Sequence, residues 1–157
     1  MEAVALLPRT LRDTARVMSE ENVEAFWRAV KPLNRALESE DPADWRPYLE
    51  QFVDPEIEWV NAPSAIEPGT KRGHAGMHAV GENFRSAFER LRVEPQRVIA
   101  VGDRVVSLGI FRGRGRGSSL DVDVPYGVIM TFRDGKVVRW ENFDEPSDAL
   151  EAAGLSE

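Results

Sequence analysis

Three turn signals cut the second half of the chain into four strand-length segments, and this limits the fold more than any other feature. Gly102-Asp103, Gly117-Ser118-Ser119 and Asp134-Gly135 are short, glycine-bearing and flanked by stretches rich in Val, Ile, Phe and Tyr. That is the chemistry of β-hairpin connections. Strands are expected near residues 92–101, 104–116, 120–132 and 136–143. Successive hairpins make an antiparallel meander, so any helices must pack against one sheet.

The first half supplies those helices. Ser19 followed by Glu20, Glu21 and Asn22 reads as a helix start, because a hydroxyl at the N-cap accepts from the first free amides. Val23, Phe26, Val30, Leu33 and Leu37 then recur at helical spacing, with Pro32 expected to kink or break the run. Asp41-Pro42 opens a second short helix carrying Trp45, Leu49 and Phe52. Residues 56–61 alternate as a strand, with Ile57, Trp59 and Asn61 on one face. Residues 62–73 read as loop. A third helix is expected over about 75–91, burying Met77, Val80, Phe84, Phe88 and Leu91. A last helix is expected over 147–153 and closes at Gly154. Residues 1–17 read as an extension, loose or helical, before a single domain at 18–157.

Composition removes several classes of function. The 157 residues carry 27 acidic against 20 basic side chains, a net charge of −7, which argues against nucleic-acid partners. No cysteine is present, so disulfides and thiolate chemistry are excluded. No segment approaches the roughly 20 apolar residues that span a bilayer, and no signal-like start is read. A cytoplasmic protein without a membrane partner is expected, and no cofactor is expected.

Three segments carry a family resemblance. Residues 52–59, FVDPEIEW, run from a helix end into the first strand. The hairpin RGRGRGSSL at 112–120 leads into VDVPYGVIMTF. DGKVVRW at 134–140 leads to Asp144 and ALEAAGL at 149–155. Together they resemble the SnoaL-like branch of the nuclear transport factor 2-like superfamily, over about residues 19–155. The resemblance implies a cone-shaped α+β fold, with a curved antiparallel sheet and helices on its concave face. It also implies a pocket for a hydrophobic small molecule, and a homodimer. The fold hosts isomerases, epoxide hydrolases, cyclases and non-catalytic binders, so activity has to be argued from residues.

The ketosteroid isomerases of the superfamily need a carboxylate base and two oxyanion donors. The corresponding places hold Val60 (Asn61 with a one-residue slip), Val128 and Leu33, which argues against that chemistry. Trp59-Val60-Asn61 is similar to the Tyr-x-Asn of limonene epoxide hydrolases, and Asp144 or Glu145 stands where that family has its water-activating aspartate. The family's Arg-x-Asp is replaced by Gly109 and Phe111, so the acid that protonates an epoxide is missing. A cyclase-type reading would use Asp144 as the pocket acid and base, whereas the structural reading makes it the start of the last helix. His74, His78 and Glu82 fall four apart but drift around the helix, so no metal site is expected; His74 alone stays a pocket-rim candidate. Arg112, Arg114 and Arg116 share one strand face, read as solvated rather than as an anion site. The candidate catalytic set is therefore Asp144, Glu145 and Asn61. The candidate pocket set is Trp59, Phe84, Phe88, Phe111, Tyr126 and His74. Three functions stay open: a small-molecule binder, a hydrolase, isomerase or cyclase using a terminal carboxylate, and a dimerising association module.

Overall fold

In a computed structural model the chain is described over residues 9–155, and its side chains over 17–155. A long helix α1 (Arg9–Glu38) leads through a single turn (Pro42–Asp44) to α2 (Trp45–Phe52). Strands β1 (Val53–Val60) and β2 (Thr70–Arg72) precede α3 (Gly73–Ala87). The meander is β3 (Phe88–Val101), β4 (Arg104–Gly115), β5 (Asp121–Arg133) and β6 (Lys136–Asn142), followed by α4 (Pro146–Ala152). The α+β class matches the expectation from sequence, and so does the order of elements apart from the short strand β2. No helix among the described residues is long and apolar enough to cross a membrane.

The six strands form one sheet in the order β2-β1-β6-β5-β4-β3. It is mixed rather than wholly antiparallel, because β1 runs parallel to β6 through pairs such as Trp59 with Trp140. The segment expected as loop also yields β2, antiparallel to β1. Helices α1, α2 and α3 bury their apolar stripes against one sheet face, around Trp45, Leu49, Ile57 and Met77. The fourth helix does not join them. Ala149, Leu150 and Ala153 pack on the opposite face against Val106 and Ile129, and a Cβ at Gly127 would lie 2.8 Å from Pro146 Cα and 2.9 Å from Ala149 Cβ.

Three points about the helices differ from the reading of the sequence, each for a physical reason. Ser19 does not start α1. The helix runs through it, and its hydroxyl donates to the Gly102 carbonyl at 3.3 Å instead of capping. Pro32 likewise does not end the helix, because Leu33, Asn34 and Ala36 just beyond it are buried and hold the last turns in place. At the other end, α3 stops at Ala87. Phe88 and Leu91 are strand residues paired with Gly115 and Gly113 of β4, and a Cβ on Gly113 would stand 2.9 Å from the Phe88 ring.

The roof helix is fixed to the sheet at one point that the apolar pattern does not show. β3 is an edge strand, so part of its backbone faces no neighbouring strand. Asn34 of α1 fills that gap. Its Nδ2 donates to Val93 O at 2.9 Å, and its Oδ1 accepts from Val93 N at 2.8 Å. Removing the carboxamide leaves one backbone donor and one acceptor unpaired in a partly buried place, each costing about 1–3 kcal/mol. Asn34→Ala is expected to lose about 2–3 kcal/mol in a denaturant titration, whereas Lys31→Ala on the exposed face stays within about 0.5 kcal/mol. A loss for Asn34→Ala no larger than that of Lys31→Ala would show that this edge is held some other way.

Candidate binding cavity

The inner face of the sheet and the three helices above it bound a partly open cavity of about 200 Å³. Leu33 and Leu37 of α1 form its roof. Phe111, Tyr126, Val128 and Trp140, from β4, β5 and β6, form the floor. Trp45 of α2, Trp59 of β1, and Met77 and Phe84 of α3 close the sides. One side is a continuous run of rings. Trp140 and Trp59 have centroids 5.0 Å apart, Trp59 and Phe84 6.3 Å, and Phe84 and Phe111 6.1 Å. Such tilted and edge-on pairs are mutually attractive and hold one another in place.

The polar atoms near this cavity are neutral. Ser107 Oγ and Tyr126 Oη lie 2.9 Å apart in a hydrogen bond in which either hydroxyl can donate. Trp45 Nε1 donates to Met77 O at 2.8 Å, and Asn142 Nδ2 donates to Val60 O at 2.8 Å. Trp140 Nε1 is buried and has no hydrogen-bond partner among the described residues. Desolvation pushes the Tyr126 hydroxyl up to about 12, with the Ser107 hydrogen bond opposing. Burial also holds Tyr48, on the core side of the same region, well above the ordinary tyrosine range.

Four of the residues expected in the pocket meet there: Trp59, Phe84, Phe111 and Tyr126. Phe88 stands behind the wall, edge-on to Phe111 at 5.6 Å. His74 is tied to β1 instead, with Nε2 2.9 Å from Val53 O. Asn61 acts on the cavity indirectly. Its Oδ1 accepts from Trp59 Nε1 at 2.8 Å and its Nδ2 donates to Glu67 O at 2.9 Å, so it orients the Trp59 ring.

The two carboxylates are not part of the wall. Asp144 is exposed and accepts from the Ser64 amide at 3.2 Å and from the Ser64 hydroxyl. Glu145 is exposed at the start of α4, where its amide donates to Asp148 Oδ2 at 3.2 Å. The cause lies one residue earlier. Asn142 is the last residue of β6 on the inner face, and Phe143 packs with the cluster on the opposite face. The chain crosses the sheet there and carries both acids away from the cavity.

Leu33, Leu37, Trp45, Met77, Val93, Val128, Trp140 and Asn142 complete the wall, and none of them was in the candidate pocket set. Asn142 had a readable signal, since it lies two residues from Trp140 on one strand and must share its face. The arginine stripe stands outside. Arg112 pairs with Glu94 at 2.8 Å and with Asp123 at 2.9 Å, and Arg114 pairs with Asp121 at 3.2 Å. Arg116 donates to the carbonyls of Arg85 and Phe88. Among the described residues, no three potential metal ligands converge.

Comparison with known proteins gives a consistent picture. The SnoaL-like domain family matches over residues 23–140. No curated protein matches the chain. Among solved structures, an NTF2-like protein of unknown function from Burkholderia pseudomallei K96243 superposes with a TM-score of 0.66 at 19% identity, covering 83% of this chain and 95% of that one. A protein from Jannaschia sp. CCS1, provisionally named a SnoaL-like polyketide cyclase, gives 0.63 at 23%, covering 79% and 85%. TerC, co-crystallised with polyporic acid, gives 0.64 at 25%, covering 85% and 98%.

The protein contains two tyrosines, Tyr48 and Tyr126, and both are raised by burial. The unfolded chain releases these protons near pH 10 while the folded chain keeps them, so stability is full below pH 10 and falls as pH rises above it. Absorbance at 295 nm is expected to stay flat through pH 10 and to rise together with alkaline unfolding. A separate rise centred on pH 10, with the fold intact, would contradict the burial of both rings.

Proposed function

The chain belongs to the SnoaL-like domain family, and on that premise we propose that it binds a small, uncharged, apolar molecule in the cavity under α1. The composition of the wall carries this reading: aromatic and aliphatic side chains from eight elements, with neutral polar groups and, among the described residues, no ionisable acid or base other than a tyrosine raised to about 12. Ligand sites are commonly concave and apolar with a few polar groups that fix orientation. The size fits as well. An apolar cavity of roughly 150 Å³ accepts benzene, so about 200 Å³ suits a bicyclic ring system. TerC shows that a related fold can be crystallised with a small organic molecule.

Acid–base catalysis on such a ligand finds less support. It requires a carboxylate or imidazole within hydrogen-bond reach of the bound molecule. Asp144 and Glu145 stand in solvent, and His74 is engaged by a backbone carbonyl. A binding function therefore ranks above a cyclase, isomerase or hydrolase.

Titration calorimetry with indane tests the reading. Saturable binding at one site per chain is expected, with a negative heat-capacity change from buried apolar surface. At 100-fold excess over Kd the ligand should stabilise the fold by about 2.7 kcal/mol. Val128→Phe, which places a ring in the cavity, should remove the binding, while Asp144→Asn should leave it unchanged. Binding abolished by Asp144→Asn and untouched by Val128→Phe would move the site to the sheet edge. Native mass spectrometry of the same sample reads whether the chain forms the homodimer its family resemblance implies.

A further inference from the structure

The apolar face of β5 continues past the cavity. Tyr126 and Val128 line the cavity, and alternation along the strand turns Val124 and Val122 to the same side. Asp121 and Asp123 take the outer face, where they pair with Arg114 and Arg112. The pairing with β4 agrees: Val124 lies opposite Phe111 and Val122 opposite Gly113. Directly opposed residues share a face at contact distance, so Val124 adjoins the Phe111 ring of the cavity wall.

The cover over this face thins from β3 toward β5. In the row Val93–Phe111–Val124 the first two are half-buried and Val124 is 50% exposed. The next row outward, Leu91–Gly113–Val122, passes from buried to half-buried. Two features account for this. Helix α1 ends at Glu38, whose carboxylate pairs with Arg92 of β3, so its last turn stands on the β3 side. β6 pairs with β5 only from Val128 onward, so the start of β5 has no strand on its other side. The cavity wall is thus continued, where β6 departs, by an apolar strip of Phe111, Val124 and Val122. The Phe88 ring borders it, at the place where a Cβ on Gly113 would stand 2.9 Å away.

A strip of so few side chains is far smaller than the roughly 800 Å² per partner that a stable protein interface buries. Exposed charges, Asp121, Asp123 and Arg116, flank it. Its one continuous neighbour is the cavity, which at about 200 Å³ holds a bicyclic ring and little more. We infer that the ligand is longer than the cavity: its ring lies inside, and an apolar arm passes Phe111 and lies along Val124 and Val122. This rests on the binding function proposed above and specifies its ligand. Two positions along a strand span roughly 7 Å, the reach of a short alkyl chain.

Calorimetry on the intact protein tests this by comparing indane with 5-butylindane, which adds a four-carbon arm to the same ring. A methylene covered on one side gains about half the free energy of full burial, or about twofold in affinity. 5-Butylindane should therefore bind about tenfold more tightly than indane. In Val124→Asp, which sets a hydrated charge on the strip, the ratio of the two affinities should fall toward one. 5-Butylindane binding no better than indane overturns the inference and leaves the apolar cavity standing as a site. A tenfold ratio that survives Val124→Asp also overturns it, because the arm then lies elsewhere. Failure of both probes to bind overturns the binding function as well. If the variant does not fold, the wild-type protein still decides. Its Val122 and Val124 methyl resonances should shift with 5-butylindane and not with indane, and methyls that respond to neither probe, or equally to both, overturn the arm.

Discussion

A single carboxamide sets the distance between the longest helix and the free edge of the sheet. Asn34 meets the amide and the carbonyl of Val93, the pair of groups a neighbouring strand would otherwise take. An edge strand left bare invites pairing with another chain, and a helix side chain that satisfies it closes the edge while fixing the helix in register. Leu33 and Leu37, on either side of Asn34 along α1, are thereby placed over the floor formed by β4, β5 and β6. Val93 serves both purposes: its backbone anchors the helix and its side chain lines the cavity.

Given that anchor, the space beneath α1 persists because its walls are stiff. The tilted and edge-on ring pairs of the wall attract and hold one another in place, and the floor is curved by close backbone approaches. Gly109 is the tightest. A Cβ there would lie 2.2 Å from Glu94 O and 2.8 Å from the Tyr126 ring, so β3, β4 and Tyr126 can assume their present positions only with glycine. The register shift between Pro95 and Arg97 bends β3 at the same level, as bulges commonly do. Charge is kept outside. Arg112, Arg114, Glu94, Asp121 and Asp123 form a ladder of half-exposed and exposed pairs on the outer face, where each contributes little to stability but leaves the interior neutral.

Much of this fold could be read in the sequence, because its turns are chemically explicit. Gly102 and Gly135 both adopt positive φ, at 62° and 78°, and these turn signals set β4, β5 and β6 within a few residues. The end of α3 was hidden for a definite reason. Phe84, Phe88 and Leu91 keep helical spacing, and the register shift between Phe88 and Arg90 removes the alternation that would have marked a strand. The start of α1 was hidden because Ser19 resembles a cap and is spent on a contact 83 residues away. Four of the six aromatic wall residues, Trp59, Phe84, Phe111 and Tyr126, were legible from faces and periods. The carboxylates were placed by their nearness to the last strand, and a local pattern could not show that the chain changes sheet faces at Phe143. Asn34 and the unpaired Trp140 indole were beyond reach, since both depend on which partners meet in three dimensions.

The central claim is that the space under α1 is a rigid, apolar and accessible binding site. Diffraction from crystals pressurised with xenon tests it without assuming any ligand, because xenon occupies dry apolar cavities. The account predicts one well-occupied xenon atom bounded by Phe84, Phe111, Val128 and Trp140, with no displacement of α1. A cavity that takes up no xenon, or one that collapses around Leu33 and Leu37 so that the gas binds only on the outer face, would contradict it.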